Sequence, residues 1–307
     1  MRVLVTGSNG FIATELIKNL RQSQHQVVGV YRNKIKHETP EDNHYHQVQC
    51  DLNQTDELIK LLRSCDSVIH LAADLKSQAK YENTITATKS LLTAMDKANV
   101  GKIILCSSLS VVDYASTEAQ SQVDINTPIC INDESLGEYA KMKRDQETLI
   151  KAWAEGAKTA LIMRPGLIYT DQETSSAHVG FISRGIALIS AHTGQVPLVH
   201  ISRVVNHFLC ACDYQIDGNF KFHHILDNPL PSQMEYVKLL QRQGSYKTGI
   251  KLHWKLFSKI AQFVRCLLYC VGLASKTPDS LRKNSVMGRA SPVSFKYYDT
   301  LDSIDYT

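Results

Sequence analysis

The sequence predicts an α/β fold, with a doubly wound parallel sheet followed by a smaller second domain. Short β-branched runs alternate with longer helical patterns through the first half of the chain, as in parallel sheets that helices cover on both faces. After Arg164-Pro165-Gly166 this alternation stops, and prolines interrupt shorter elements. We therefore predict one domain over residues 1–165 and mainly a second over residues 166–307, with a segment at about 196–222 returning to the first.

Each element is predicted from the spacing of its apolar residues. Continuous apolar runs predict buried strands, and apolar residues three and four apart predict one face of a helix. The predicted strands cover residues 3–6, 27–31, 47–50, 67–71, 102–106 and 159–163. The predicted helices cover residues 11–20, 58–62, 87–98 and 138–153. This order is typical of a single doubly wound domain.

The composition is that of an ordinary globular protein. Of 307 residues, 43% are hydrophobic and 21% are charged, which excludes a disordered or collagen-like chain. The net charge of +4 is too small to indicate nucleic-acid binding. The sequence has no uncharged apolar run of about 18 residues, and its first residues lack the pattern of a secretory signal. We therefore expect a cytoplasmic protein.

The cysteines and histidines predict neither a disulfide framework nor a metal site. The eight cysteines are scattered without a Cys-x-x-Cys pair, so we expect reduced thiols. His44 and His46 form one close pair, and His223 and His224 form another. Neither pair has a second pair of ligands at zinc-finger spacing, so we expect no bound metal.

A glycine turn connects the first predicted strand to the first predicted helix. Gly7 permits a tight turn, and Gly10 lets the backbone approach a pyrophosphate without an intervening Cβ. The start of the helix adds N–H donors and a favourable dipole. This order of elements predicts a dinucleotide-binding site, although such a turn can also be a plain connection. The full segment reads Thr6-Gly7-Ser8-Asn9-Gly10-Phe11-Ile12-Ala13.

The end of the second predicted strand distinguishes the two nicotinamide dinucleotides. An acidic residue there would bind the adenosine ribose diol, but the strand ends in Tyr31 and is followed by Arg32, Lys34 and Lys36. Three cations without a carboxylate would attract a 2′-phosphate. The sequence therefore favours NADP(H) over NAD(H), with Arg32 as the first phosphate contact. In the alternative interpretation, these cations belong to a solvated loop.

A serine, a tyrosine and a lysine are the candidate catalytic residues. The fifth predicted strand ends in Ser107 and Ser108, and the long helix that follows carries Tyr139 and Lys143. Residues four apart lie on one face of a helix, so the Lys143 ammonium would lower the pKa of the phenol, which is ~10 when unperturbed. Such a pair also arises by chance in a chain with 13 tyrosines. Its significance comes from its place in a domain with a predicted dinucleotide site.

Together these motifs resemble the extended short-chain dehydrogenase/reductases, a family of nucleotide-sugar epimerases, dehydratases, 3β-hydroxysteroid dehydrogenases and dihydroflavonol reductase-like enzymes. The resemblance covers most of the chain and implies a Rossmann-type sheet with a smaller C-terminal substrate domain. It rests on Thr6-Gly7-x-x-Gly10-Phe11-Ile12, Asp51-Leu52, His70-Leu71-Ala72-Ala73, Ser107-Ser108, Tyr139-x-x-x-Lys143, Arg164-Pro165-Gly166 and, less specifically, residues 197–201.

The resemblance implies a role for each matching residue. Tyr139 would exchange a proton with the substrate oxygen, Lys143 would lower the pKa of Tyr139 and hold the nicotinamide ribose, and Ser108 would bond the same substrate oxygen. Ser108 is chosen over Ser107 and Ser110 because aligning Val111 with the family's usual valine puts the catalytic hydroxyl three residues earlier. The implied reaction is hydride transfer at a secondary alcohol or ketone carbon. The other cofactor contacts would be Asp51 and Leu52 at the adenine, Leu71, Ala72 and Ala73 beneath the ribose and pyrophosphate, and Pro165 at the carboxamide.

Departures from the family patterns narrow the choice of reaction. Dehydratases have Thr-Asp-Glu where this chain has Ser108-Leu109-Ser110, and sugar epimerases usually follow Tyr169 with Gly-Pro, which this chain lacks. We therefore expect an NAD(P)(H)-dependent dehydrogenase or reductase of a small molecule. A nucleotide-sugar epimerase and a non-catalytic NAD(P)-binding sensor or assembly subunit stay open. Related proteins often pair through the helices beside Tyr139, which leaves a homodimer open.

The small net charge conceals a strongly basic C-terminal segment. Residues 238–289 contain eleven Lys or Arg and a single acid, Asp279. Within this segment, residues 251–273 have apolar residues at helical spacing with Lys255, Lys259 and Arg265 interleaved. One interpretation is a helix that packs on its own domain, with its cations solvated or near an anionic substrate. The other is peripheral contact of this helix with an anionic membrane surface.

Overall fold

A parallel sheet of seven strands forms the centre of the computed structural model, which describes residues 1–33, 42–174, 180–183, 185–191, 193–273 and 277–301. In chain order, the strands of these residues are β1 Arg2–Thr6, β2 Gln26–Tyr31, β3 Tyr45–Gln49, β4 Ser67–His70, β5 Lys102–Cys106, β6 Gln122–Val123, β7 Thr159–Pro165, β8 Leu167–Tyr169, β9 Gly180–Ser183, β10 Ile186–Ala191, β11 Leu198–His200, β12 Phe220–Ile225, β13 Thr248–His253 and β14 Ser294–Phe295.

Helices lie on both faces of this sheet and in the C-terminal part of the chain. They are α1 Phe11–Gln22, α2 Thr55–Leu62, α3 Lys80–Ala98, α4 Glu138–Trp153, α5 Ile201–Asp213, α6 Gln233–Arg242, α7 Trp254–Cys270 and α8 Lys283–Ala290. Among the described residues, the short 3₁₀ turn Leu109–Val111 follows β5, and the short 3₁₀ turn Asp279–Leu281 precedes α8.

The seven strands have the spatial order β12-β7-β5-β4-β1-β2-β3, and every pair of neighbours is parallel. The chain runs outward from β1 to β3 and then crosses to the other side of β1 to form β4. Side chains alternate along β1, so Val3 and Val5 pack in the core with α1 and α5, while Leu4 packs in the core with α2 and α3. This topology confirms the predicted doubly wound, Rossmann-type sheet.

Several elements differ from their predicted bounds, and two of the differences have identifiable reasons. The helix predicted over residues 87–98 begins at Lys80, because its first turns are largely polar and carry little apolar periodicity. The strand predicted over residues 47–50 covers Tyr45–Gln49, and the Tyr45 side chain is buried against α1. In both cases apolar spacing identified the element but not its first residue.

The C-terminal half contributes to the central sheet as well as forming a smaller unit. Helix α5 packs against α1, and β12 pairs with β7 from Phe220 to Ile225. Strands β13, β10 and β9 form a second sheet in that order, with α7 packed on it and on α8, while β8 pairs with β11 and β6 with β14. In the described residues, no helix is both long enough and apolar enough to cross a bilayer.

Candidate functional site

A cavity of about 640 Å³ lies at the carboxyl edge of the central sheet, where the chain crosses from one side of β1 to the other. Open α/β sheets bind ligands at such a crossing. Most residues predicted to contact a cofactor line this cavity, whereas Pro165 does not, and the candidate catalytic residue Ser108 lies outside its lining as well. The predicted residues in its lining are Gly7, Asn9, Gly10, Phe11, Ile12, Arg32, Asp51, Leu52, Leu71, Ala72, Ala73, Tyr139 and Lys143.

The glycine turn forms one wall of the cavity. Gly7 has a φ of +67°, and a Cβ at this position would lie only 3.0 Å from the Ala72 Cα. The Gly10 N–H donates to the Gly7 carbonyl oxygen at 2.8 Å, which closes the turn. Helix α1 then begins without a side-chain cap and without an acidic residue in its first turn. Its N–H groups and dipole therefore suit a bound anion such as a dinucleotide pyrophosphate.

A buried histidine connects this turn to the segment after β4. His70 Nδ1 lies 2.8 Å from Thr6 Oγ1, which also accepts a hydrogen bond from the Ala72 N–H. On the other side of the ring, His70 Nε2 lies 3.1 Å from both Thr88 Oγ1 and Gln146 Nε2. Burial lowers the pKa of His70 to about 3, so the ring is neutral at physiological pH. This network fixes two walls of the cavity relative to each other.

Arg32 has an acidic partner that the sequence pattern did not predict. Its Nη2 atom lies 3.2 Å from Asp74 Oδ2, so a carboxylate stands beside the cation expected to hold a 2′-phosphate. The end of β2, just before Arg32, lacks a carboxylate, but the loop after β4 supplies one from across the sheet edge. Lys34 and Lys36, the other two cations of that prediction, lie outside the described residues.

Asp74 is held in a fixed orientation at the cavity wall. Its carboxylate accepts hydrogen bonds from the backbone N–H groups of Lys76 and Ser77 and from the side chains of Ser77 and Asn83. Burial alone would raise the pKa of this carboxyl, but these hydrogen bonds hold it well below its usual range. Asp74 directly follows the Leu71-Ala72-Ala73 segment, so its place after a central strand was the signal that could have identified it.

Tyr139 lies near the start of α4 with its phenol close to β5. Tyr139 as a whole residue is 39% exposed, but desolvation of its phenol raises the pKa to about 12; the nearby Cys106 thiol adds to the rise, and a hydrogen bond with the Ser108 side chain opposes it. Ser108 Oγ also accepts a hydrogen bond from the Ser110 N–H at 3.1 Å. The Ser108 hydroxyl proton is therefore directed away from this N–H and is available for an oxygen near Tyr139.

Lys143 lies one turn after Tyr139 on α4, as the helical spacing predicts. Its Nζ atom donates to the Cys106 carbonyl oxygen at 2.8 Å, at the end of β5. Burial lowers the pKa of Lys143 itself. The pKa of Tyr139 is raised in this structure, and its lowering by Lys143 stays a prediction. Lys143 still lies in the cavity lining with Tyr139.

A buried ion pair supports the strands beneath the two candidate catalytic hydroxyls. Arg164 donates to the two Glu147 carboxylate oxygens at 2.9 and 2.7 Å, and its guanidinium stacks 4.2 Å from the centre of the Phe222 ring. The Ser107 hydroxyl also donates to Glu147. Ser107 is thus engaged in this network, whereas its neighbour Ser108 contacts Tyr139.

The C-terminal half caps the helix that carries Tyr139. The Glu138 N–H, in the first turn of α4, donates to Asp279 Oδ2 at 2.9 Å. Asp279 packs so closely that a Cβ on Gly137 would lie 2.9 Å from the Asp279 Cβ. A carboxylate at a helix N-terminus satisfies a free N–H and interacts favourably with the dipole. The single acid of the basic segment therefore stabilises the start of the Tyr139 helix.

Asn284 makes a second connection from the same region. Its side chain donates to the Val112 carbonyl oxygen at 2.8 Å and accepts from the Ala115 N–H at 3.0 Å, while its own N–H donates to the Ser135 carbonyl oxygen at 2.9 Å. The residue is almost fully buried. Asn284 thus fixes both the turn after Ser108 and the segment that leads into α4.

The histidine pairs of the sequence do not form a metal centre in the described part of the chain. Within those residues, no group of three His, Cys, Asp or Glu side chains is arranged to hold an ion. His223 and His224 lie buried in β12, and burial lowers the pKa of both rings.

Comparison with known proteins places these features in a family. The model of the NAD dependent epimerase/dehydratase family matches residues 3–217. Cinnamoyl-CoA reductase 2 from Arabidopsis thaliana is 27% identical over 183 residues, which are 54% of this chain and 54% of that enzyme. The aligned part therefore spans about half the length of that relative.

Two further proteins extend the comparison. The N-acetyl-alpha-D-glucosaminyl-diphospho-ditrans,octacis-undecaprenol 4-epimerase of Escherichia coli O157:H7 is 22% identical over 74% of this chain and 67% of that enzyme. The solved UDP-glucuronic acid 4-epimerase of Bacillus cereus, in complex with NAD, has a TM-score of 0.63 and 21% identity, covering 82% of this chain and 87% of that one. The likeness to the solved structure shows a shared fold. From the family model and the relatives, this chain belongs to the NAD dependent epimerase/dehydratase family, whose members include the extended short-chain dehydrogenase/reductases that its motifs resemble.

Proposed function

We propose that this protein interconverts a secondary alcohol and a ketone with a nicotinamide dinucleotide, and that Tyr139 is the acid/base. One observation carries the proposal: the Tyr139 helix and the Gly7 turn line the same cavity, and Ser108 contacts the Tyr139 phenol. These are the parts that a hydride-transfer site needs, namely a cradle for the cofactor and a proton donor for the substrate oxygen.

The cavity lining fits a dinucleotide. The uncapped start of α1 would hold the pyrophosphate, and Gly7 leaves room where a Cβ would meet Ala72. Leu52 and Asp51 would flank the adenine, and Lys143 would hold the nicotinamide ribose. The bound cofactor would supply the hydride donor or acceptor at the substrate carbon. The protein would supply orientation and proton transfer.

The direction of the Tyr139 pKa shift defines its protonation state. With a pKa of about 12, the phenol is protonated at neutral pH and can donate to a ketone oxygen. The reverse reaction needs the phenolate, whose population rises about tenfold per pH unit below the pKa. We therefore expect alcohol oxidation to accelerate as pH rises above neutral, while ketone reduction changes little. Ser108 would bond the same substrate oxygen.

The choice between NAD(H) and NADP(H) depends on Arg32 and Asp74. Arg32 favours a 2′-phosphate, as the sequence indicates, whereas the Asp74 carboxylate neutralises Arg32 and repels a phosphate. We propose that NADP(H) is bound only if the phosphate displaces Asp74 from Arg32. A ribose diol needs no such displacement.

Epimerisation of a sugar diphosphate is the second candidate function. It is favoured by the similarity to the undecaprenol-linked 4-epimerase, which extends over 74% of this chain and so includes much of the C-terminal half. An epimerase would oxidise and re-reduce its substrate on a retained cofactor, so the reaction mixture would show an altered sugar and no net change in reduced nicotinamide. Tyr139 would have the same role in both reactions.

The experiment is a comparison of Tyr139→Phe with the wild type. The probes are a set of cyclic ketones, UDP-glucose and UDP-N-acetylglucosamine, assayed for nicotinamide absorbance and for sugar product. We expect turnover to fall roughly 10³-fold because the acid/base is removed, while the Kd for NADH and NADPH stays within about twofold. Tyr81→Phe is the matched control, because its hydroxyl bonds Asp145 outside the cavity.

Unchanged turnover in Tyr139→Phe would reject Tyr139 as the acid/base. Cofactor binding by the wild type without turnover of any probe would instead favour the non-catalytic sensor or assembly subunit.

A further inference from the structure

Helix α7 has two apolar faces, and only one of them is covered in the described structure. Phe257 and Ala261 are buried against Val286 and Ala290 of α8. A second set of apolar residues is exposed along the helix. Its members are spaced by four, three and four residues, which places them on one stripe of the helix surface. We call it the α7 stripe, and it consists of Leu256, Ile260, Phe263 and Leu267.

The exposure of the α7 stripe is large for apolar side chains. Phe263 is 69% exposed, Leu267 53% and Leu256 48%. Near the C-terminal end of the helix, Tyr269 and Val271 are also exposed. Contiguous apolar surface of this kind on a soluble domain indicates a binding face rather than ordinary surface variation.

The charged residues of the segment that contains the α7 stripe all have one sign. Residues 248–273 contain Lys251, Lys255, Lys259 and Arg265 and no Asp or Glu. The three lysines are exposed. Lys255 and Lys259 lie about 100° round the helix from Leu256 and Ile260, so they border the stripe on one side. Among the described residues, no ion pair to a carboxylate is recorded for these lysines.

We propose that the α7 stripe docks this protein on the surface of an anionic lipid bilayer. An amphipathic helix lies in the interface plane with its apolar side chains among the acyl chains and its lysines at the headgroups. The exposed Phe263 of the stripe suits the aromatic-rich boundary between hydrocarbon and water. Because α7 is anchored to α8 by its other face, the docking would be peripheral.

Charge complementarity favours a bilayer over a second copy of this chain. A two-fold contact through the α7 stripe would bring two identical cationic segments together with no carboxylate between them. An anionic bilayer provides both the hydrocarbon and the opposite charge. The inference is independent of the proposed chemistry, since vesicle binding needs neither cofactor nor turnover.

The test is co-sedimentation of the full chain with vesicles. Vesicles of phosphatidylcholine alone are compared with vesicles that also contain phosphatidylglycerol, at low and at high salt. We expect binding to the anionic vesicles that weakens with salt, and at least about tenfold weaker binding for the double variant Phe263→Ser with Leu267→Ser. Lys255→Gln with Lys259→Gln should weaken binding and reduce its salt dependence.

The matched control is Ile131→Ser, which makes the same type of substitution at an 84% exposed site remote in sequence from α7. It should bind like the wild type, and thermal melting should show that all variants fold. The inference is overturned if the folded wild type does not bind anionic vesicles at low salt or binds phosphatidylcholine vesicles equally well. It is also overturned if the double variant Phe263→Ser with Leu267→Ser binds as tightly as the wild type. Dissociation of a wild-type dimer by the Ser variants, without vesicle binding, would assign the stripe to a second copy instead.

Discussion

The region around the cavity and the region around α7 treat charged and apolar side chains in opposite ways. At the cavity, Glu147 and Arg164 are buried and paired. Around α7, Lys255 and Lys259 are exposed beside apolar side chains that are exposed as well. The first arrangement holds groups in one geometry, which a catalytic site requires. The second leaves surface that is stabilised only when something covers it.

The largest expected effect is on the free energy of unfolding when one charge is removed from each of the two regions. Glu147→Gln leaves the Arg164 guanidinium buried without its counter-ion, so we expect the free energy of unfolding to fall by about 3 kcal/mol. Lys255→Gln removes an exposed charge and should change it by less than about 0.5 kcal/mol. Urea denaturation of both variants measures the difference.

Glu134→Gln, at an exposed acid in the segment before α4, is the control for loss of a negative charge alone. Equal losses of stability in Glu147→Gln and Lys255→Gln would show that the two regions do not differ as described.

A smaller effect is expected where the two halves of the chain meet. Asp279→Ala removes the acceptor for the Glu138 N–H at the start of α4, so we expect the turnover number to fall roughly fivefold through a less ordered Tyr139. Asp279→Asn keeps an acceptor oxygen and should recover most of the rate. The Kd for NADH should not change in either variant. If the turnover number fell as much in Asp279→Asn as in Asp279→Ala, this positioning role would be contradicted.

The smallest effect concerns cofactor choice. Asp74→Asn keeps the hydrogen bonds from Lys76 and Ser77 but releases Arg32 from its ion pair. We expect the Kd for NADPH to fall about threefold relative to that for NADH, because Arg32 is partly exposed and the pair is weak. Arg32→Gln should shift the ratio the other way. Fluorescence titration of both cofactors gives the ratio, and an unchanged ratio in both variants would exclude this pair from cofactor selection.

Local patterns in the sequence were sufficient for six of the seven strands of the central sheet and for most of the cavity, whereas β12 was not predicted as a strand. Gly7 and Gly10 lie where a strand–turn–helix pattern places them, because that turn is encoded by adjacent residues. Tyr139 and Lys143 lie near one another because helical spacing fixes them. These are short-range relations, and apolar periodicity with turn chemistry describes them well.

Relations between distant segments were not predicted. Asp74 reaches Arg32 from the loop after β4, and Asp279 reaches α4 from 141 residues away. The apolar positions of α7 formed one set in the sequence, but the structure divides them between a buried and an exposed face. The spacing of Phe257 and Phe263 does not reveal which of them will meet α8, since that depends on how the helix is rotated in the fold.

The central claim is that the cavity beside Gly7 binds a nicotinamide dinucleotide, and calorimetric titration of Gly7→Val against the wild type tests it most directly. At a φ of +67°, and with the Ala72 Cα 3.0 Å from a Cβ, valine would fill the cradle and distort the turn. We predict that the wild type binds NADH or NADPH at one site per chain and that folded Gly7→Val binds at least about 100-fold more weakly. Equal binding by the two proteins, or no binding by the wild type, would contradict the account.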